Sequence, residues 1–178
     1  MEQTIGKHYL ENAITEFRKL KQLGDKSFHQ IKDEDFFRSP DEESNSIAII
    51  VRHMSGNMIS RWTDFLTTDG EKENRNRDEE FEKLFYTDKD DIQSRWERGW
   101  KCLFDSLNSL SEKDLMSEIR IRDQPMSVIE AINRQLTHYG YHLGQIVYIA
   151  KHLEGDNWKS LSVPKGGSKE FNEKLKRR

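Results

Sequence analysis

The sequence predicts an all-α protein, a single four-helix-bundle domain spanning residues 1–178 with a frayed tail from about residue 165. Three observations predict this. Four segments place apolar residues at spacings of three and four, the pattern of a helix with one buried face. Only three prolines occur in 178 residues, so long helices meet few breakers. A long charged connection separates the second and third segments, which lets those two helices run parallel with a crossover between them.

The first helix is expected from Thr4 to Ile31, burying Tyr9, Leu10, Ala13, Ile14, Phe17, Leu20 and Leu23. The stretch from Lys32 to Asn45 is polar, contains Pro40 and reads as a connection. The second helix is expected from Ser46 to Leu66, with Ser44 or Asn45 as its cap. Its apolar run from Ile47 to Val51 continues through Met54, Met58, Ile59, Trp62 and Phe65. The crossover from Thr67 to Thr87 is charged, opens on a Gly turn and offers Phe81, Leu84 and Phe85 for packing. Connections of this length often carry function. The third helix is expected from Lys89 to Leu110, capped by Asp88, with Ile92, Trp96, Trp100, Leu103, Phe104, Leu107 and Leu110 on one stripe. Glu118 to Arg122 alternates polar and apolar residues, which suits a short extended piece. The fourth helix is expected from Met126 to Leu153, stopped by Gly155. Beyond it, Trp158, Leu161 and Val163 can cover one end of the core.

The net charge of −3, with acidic and basic residues mixed, excludes the basic field of a nucleic-acid binder. Cys102 is the single cysteine, which excludes a disulfide framework and a Cys-rich zinc site. Its apolar helix context marks it as a buried core thiol. No run reaches the roughly 20 apolar residues that span a bilayer, and the amino terminus has no apolar signal core. A soluble, cytoplasmic protein without a membrane partner is therefore expected.

The chemistry concentrates on histidine. His138 and His142 stand one helical turn apart, so both imidazoles leave the same face of the fourth helix. Two such rings can share a divalent metal, but Tyr139 stands where zinc peptidases carry their glutamate. A third candidate ligand is His53, set inside the apolar run SIAIIVRHMSGNM. On a helical wheel Ser46, Ile49, Ile50, Asn57, Ser60 and Asp64 lie within roughly 60° of His53. Ala131, Arg134, Gln135, Gln145 and Ile149 share the face of His138 and His142. If the second and fourth helices are antiparallel neighbours, Asn57, Ser60 and Asp64 meet Arg134 and Gln135. Three neutral imidazoles suit divalent zinc, nickel, iron, cobalt or manganese and leave coordination positions open. Such an ion lowers the pKa of a bound water or thiol. The competing reading is three hydrogen-bonded structural histidines, and the residues alone leave both readings open. His8, His29 and His152 fall near helix ends and are expected at the surface, with Trp96 and Trp100 in the core.

The segments SIAIIVRHMSGNMISRW and THYGYHLGQIVYIAKH resemble the DinB-like, or YfiT-like, superfamily of metal-dependent four-helix proteins. The tail NWKSLSVPKGGSKEFN resembles a Bacillus-type branch of it, and the resemblance covers about Thr4 to Trp158. It implies an up-down-down-up bundle, a homodimer, and nickel or zinc on His53, His138 and His142. Leu143 stands where relatives often carry an arginine. The implied activity is thiol S-transfer, which moves a low-molecular-weight thiol such as bacillithiol onto an electrophilic small molecule. Asn57, Arg61, Asp64, Arg134 and Gln135 are the candidate substrate-binding groups. One rival is a metal-dependent hydrolase using metal-bound water. Another is a non-enzymatic stress-related bundle or binding protein whose three-histidine site is structural.

Overall fold

Each long helix starts where a side-chain oxygen satisfies a free backbone N–H. In the computed structural model, which describes residues 3–82 and 88–176, Thr4 accepts from the Lys7 amide and opens α1 (Ile5–Phe28). Ser46 accepts from Ile49 and opens α2 (Ile47–Trp62), and Asp88 accepts from Asp91 and opens α3 (Lys89–Ser109). Ser127 and Glu130 form a capping box at the start of α4 (Val128–Glu154). Each such cap is worth about 1 kcal/mol. Gly155, at φ 55°, ends α4 as expected. The described residues are mostly helical, with five α-helices and one two-stranded sheet. No helix among them is long and apolar enough to cross a membrane.

Several boundaries differ from expectation. The cap of α2 is Ser46, because Ser44 spends its amide and hydroxyl on the Asp41 carboxylate at 2.8 Å each. The same helix stops at Trp62, short of Leu66, where Thr63 turns extended and Asp64 takes a positive φ of 47°. Met126 lies in a strand, since the Ser127–Glu130 box delays α4. The expected frayed tail contains a helix, α5 (Ser168–Lys176), that buries no side chain. Cys102 is half-buried, with Thr63 Oγ1 3.5 Å from its sulfur. Leu84 and Phe85 lie outside the described residues, whereas Phe81 is half-buried.

Side-chain pairs give the helix directions. Tyr9 donates to Asn133 at 2.8 Å and Phe17 packs on Tyr139 at 6.0 Å, so α1 and α4 advance together. Ser55 donates to the Arg95 carbonyl at 2.6 Å and Ser106 to the Trp62 carbonyl at 2.7 Å, so α2 and α3 advance together. The Phe17–Trp100 contact and the 2.8 Å Lys21–Glu97 pair set α1 against α3 in the opposite sense. A Cβ added to Gly99 would stand 2.9 Å from the Ser55 Cα, so glycine sets how closely α2 and α3 approach. The core between the helices is aromatic: Phe17, Trp62, Trp96, Trp100 and Tyr139 are buried and meet mostly edge to face.

The extended piece expected at 118–122 is half of a hairpin. Strand β1 (Glu118–Ile121) pairs antiparallel with β2 (Gln124–Ser127), and Ile121 faces Gln124 across a two-residue turn. Arg122 and Asp123 fill that turn at φ 56° and 59° without a glycine. This left-handed pair costs roughly 1–2 kcal/mol per residue. The Asp69 carboxylate offsets it by accepting the backbone N–H of Arg122 at 2.9 Å and of Asp123 at 2.8 Å. The crossover thereby clamps the hairpin and holds Arg122 in place. Replacing Asp69 by Ala is expected to destabilise the protein by about 1–3 kcal/mol, with hydrogen-exchange protection lost first across 118–127. Unchanged exchange in the hairpin would refute the clamp.

Candidate metal centre

The three histidines meet. His53, on α2, projects toward α4, where His138 and His142 stand one turn apart, and one ring nitrogen of each lies within 4.8 Å of the other two. The Nε2 of His138 is 3.4 Å from that of His53 and 3.1 Å from that of His142. Nitrogens bound at ~2.0–2.1 Å around a tetrahedral zinc stand about 3.3 Å apart, so this spacing suits one shared ion.

What each ring does with its other nitrogen decides the chemistry. His53 Nδ1 faces a Glu80 carboxylate oxygen at 2.9 Å, an acceptor. His142 Nδ1 faces Gln145 Oε1 at 2.8 Å, and the Gln145 amide nitrogen donates to Tyr141, which orients that amide. His138 Nδ1 faces Gln135 Oε1 at 3.3 Å. Three neutral rings that each donate from Nδ1 leave three Nε2 lone pairs converging with no proton between them. A cation satisfies such a trio. Acceptors behind ligand imidazoles are the usual device that fixes tautomer and ring angle in metal sites.

The electrostatics agree. Burial first, then the neighbouring His142 and His53, push the His138 pKa from 6.5 down to about 3. Burial lowers His142 as well, outweighing its hydrogen bond to Gln145. Burial alone would raise the Glu80 carboxyl, but Arg75 and His53 outweigh it and bring the pKa below the ordinary value. Burial thus favours neutral imidazole at His138 and His142, and the Glu80 carboxylate behind the site is held ionised. In the unfolded chain His138 and His142 titrate near 6.5, so the unfolded state binds more protons below that pH. Stability of chelator-treated protein is therefore expected to fall as pH drops from 6.5 toward 3, with the histidine contribution flat above that window. Urea melts between neutral pH and about 5 check it, above the range where carboxylates titrate. A midpoint constant over that range would contradict it.

Glu80 is itself fixed. Arg75 grips it with two nitrogens, each 2.8 Å from a carboxylate oxygen, and Arg52 Nε donates to its backbone carbonyl at 2.8 Å. Gly56 makes room, since a Cβ there would collide with Glu80 Oε1. Phe81 lays its ring 4.6 Å from the His53 ring. The crossover thus folds over α2 and supports the centre from behind.

A cavity of about 200 Å³ opens beside His53 and His138, with Asn57, Arg61, Arg134 and Gln135 also in its wall. Four of the five expected substrate groups are therefore brought together. Asp64 is not among them: it is exposed past the end of α2, in a separate depression with Phe65 and Thr67. The wheel that placed it beside Asn57 assumed a longer helix. Asn57 accepts from the buried Tyr139 hydroxyl at 3.0 Å, whose pKa burial raises. Arg61 is buried and pairs with Glu71 at 2.8 Å. His8, His29 and His152 are exposed, as expected.

A family model described as a protein of unknown function, DUF1572, matches residues 4–167. The chain belongs to the DUF1572 family. A comparison with curated proteins finds no match. In this DUF1572 chain, Glu80, Arg75, Arg77 and Arg122 are site groups that helix periodicity does not reveal. The one sequence signal pointing to them is the length and charge of the crossover, from which Arg75, Arg77 and Glu80 come.

Proposed function

We propose that this DUF1572 protein is a DinB-like, divalent-metal-dependent enzyme of the thiol-transferase type, built on an up-down-down-up four-helix bundle. The observation that carries the metal reading is the convergence of three Nε2 lone pairs whose rings are all anchored through Nδ1. The helix directions support the bundle, and the sequence resemblance supports the reaction type. His53, His138 and His142 would hold the ion, with nickel or zinc first among the metals that imidazole donors suit. A bound divalent ion would lower the pKa of a coordinated thiol and so supply a thiolate at neutral pH. The chain's own residues do the rest. Glu80, Gln135 and Gln145 keep the rings in the Nδ1–H tautomer and aimed inward. The α2 and α4 side chains bordering the cavity bind and orient the thiol and its electrophile beside the histidines. In the transfer the thiol proton goes to solvent, a sulfur–carbon bond forms and the leaving group departs from the electrophile.

Elemental analysis of protein purified without chelator, joined to a thiol-conjugation assay with and without added metal, tests this reading. About one ion per chain and metal-stimulated conjugation are expected. Turnover of esters or amides in place of thiols would move the assignment to hydrolysis. Metal content at background with no metal-stimulated activity would overturn it.

A further inference from the structure

The cavity beside the histidines has a second property that the metal reading does not need. Arg61, Arg75, Arg77, Arg122 and Arg134 all line it. Two carboxylates, Glu71 and Glu80, pair with three of these five guanidinium groups. Glu71 takes Arg61 at 2.8 Å, Arg122 at 2.9 Å and Arg75 at 3.5 Å, and Glu80 takes Arg75. With the exposed Asp78 beside Arg77, three carboxylates stand against five guanidinium groups, an excess of two positive charges in a chain whose net charge is −3. Bulk composition does not explain that excess.

Two of the arginines are free to act on a ligand. Arg134 is exposed at the rim, and no hydrogen bond or ion pair to it occurs among the described residues. Arg77 has only the exposed Asp78 at 3.8 Å as an ion-pair partner among those residues, and its guanidinium lies 5.0 Å over the Phe81 ring. Behind them Arg61 is buried, donates to the Gly70 carbonyl and to Glu71, and keeps a buried Nε with no hydrogen-bond partner among the described residues. Desolvating a guanidinium is costly unless something anionic compensates, and one carboxylate shared three ways does so only in part. Guanidinium forks match the planar, two-oxygen edge of a carboxylate or phosphate. At about 30 Å³ per water, the space equals roughly seven waters, which suits a small molecule and not a polymer.

We propose that this cavity is an oxyanion subsite: the substrate is a small acidic molecule whose carboxylate or phosphate is held by Arg77 and Arg134, with Arg61 and Arg122 behind, while its reacting end reaches the histidines. This names the substrate class of the site proposed above and rests on that reading for its catalytic meaning, but anion binding itself needs no metal. The test therefore uses chelator-treated full-length protein. Calorimetric titration with malonate, inorganic phosphate and the neutral isostere malonamide is done at matched ionic strength set with chloride. Saturable binding of malonate or phosphate that weakens as salt rises, with none for malonamide, is expected. Tighter malonate than phosphate identifies a carboxylate substrate, and the reverse a phosphorylated one. Arg134→Ala and Arg77→Ala should each weaken binding by about tenfold, the order expected for losing one charge-assisted hydrogen bond. Both side chains are exposed, so the thermal melt should stay within a degree or so and the metal content should equal that of wild type. Anions binding no better than malonamide, or full anion affinity in both variants, would overturn the subsite whatever the metal analysis shows.

Discussion

His138→Ala protein is expected to emerge from purification with less than a tenth of the metal carried by wild type, and to lose its response to chelator. His138 is the middle histidine of the three, with its Nε2 3.1 Å and 3.4 Å from the two other Nε2 atoms. Removing it leaves His53 and His142 as a two-nitrogen site, too few to compete with water and buffer for a divalent ion. Metal bound only by the folded state stabilises it by about 2.7 kcal/mol when free metal is a hundredfold above the dissociation constant. For a chain of this length that corresponds to a melting shift of roughly 5–10 °C. Chelator should therefore lower the wild-type melting temperature by about that much and leave the variant's unchanged. The metal-free variant need not be less stable than metal-free wild type, because removing His138 also removes one of the converging lone pairs. A variant that keeps wild-type metal and a wild-type chelator shift would show that the ion, if present, sits elsewhere.

How much of this was legible in the sequence follows from which interactions are local. His53 could be read as a ligand candidate because a histidine inside the run from Ile47 to Met58 must be buried, and burial demands a partner. The one-turn spacing of His138 and His142 fixes their common face whatever surrounds them. Asn57, Arg134 and Gln135 reached the cavity because helix periodicity carries over a turn without error. Asp64 failed because that periodicity was extended past Trp62, where Thr63 turns extended and Asp64 itself takes a positive φ even though Phe65 beyond them is buried. The Ser127–Glu130 capping box is a local signal that marks the start of α4 and excludes Met126. Glu80 and Arg75 are different in kind. Their place is set by how an irregular crossover drapes over α2, and one acidic residue among many in NRNRDEEFEK carries no mark that it faces His53. Arg122 enters the cavity only because Asp69 stabilises a turn of two left-handed residues, a contact between segments more than fifty positions apart.

That buried relay from Arg75 through Glu80 to His53 is where the second large effect is expected. Arg75→Ala should cost about 3–5 kcal/mol of stability, because it strips the cation from a carboxylate that is itself buried. It should also weaken metal binding by about 10–100-fold, the usual penalty for disturbing the group that orients a ligand imidazole. One variant cannot separate the two effects, since a loosened fold also loses metal. The pair Arg75→Met with Glu80→Leu can. Replacing both members of a buried ion pair by apolar side chains of similar volume is often neutral or stabilising, so the double variant should regain most of the lost stability. It should not regain the metal, because His53 Nδ1 then has no acceptor, the tautomer with the proton on Nε2 becomes competitive, and the lone pair aimed at the centre is lost. Chemical melts and metal titrations on wild type, the single variant and the double variant give the comparison directly. A double variant that binds metal as tightly as wild type would reduce Glu80 to a packing element and leave the three imidazoles to hold their orientation without it.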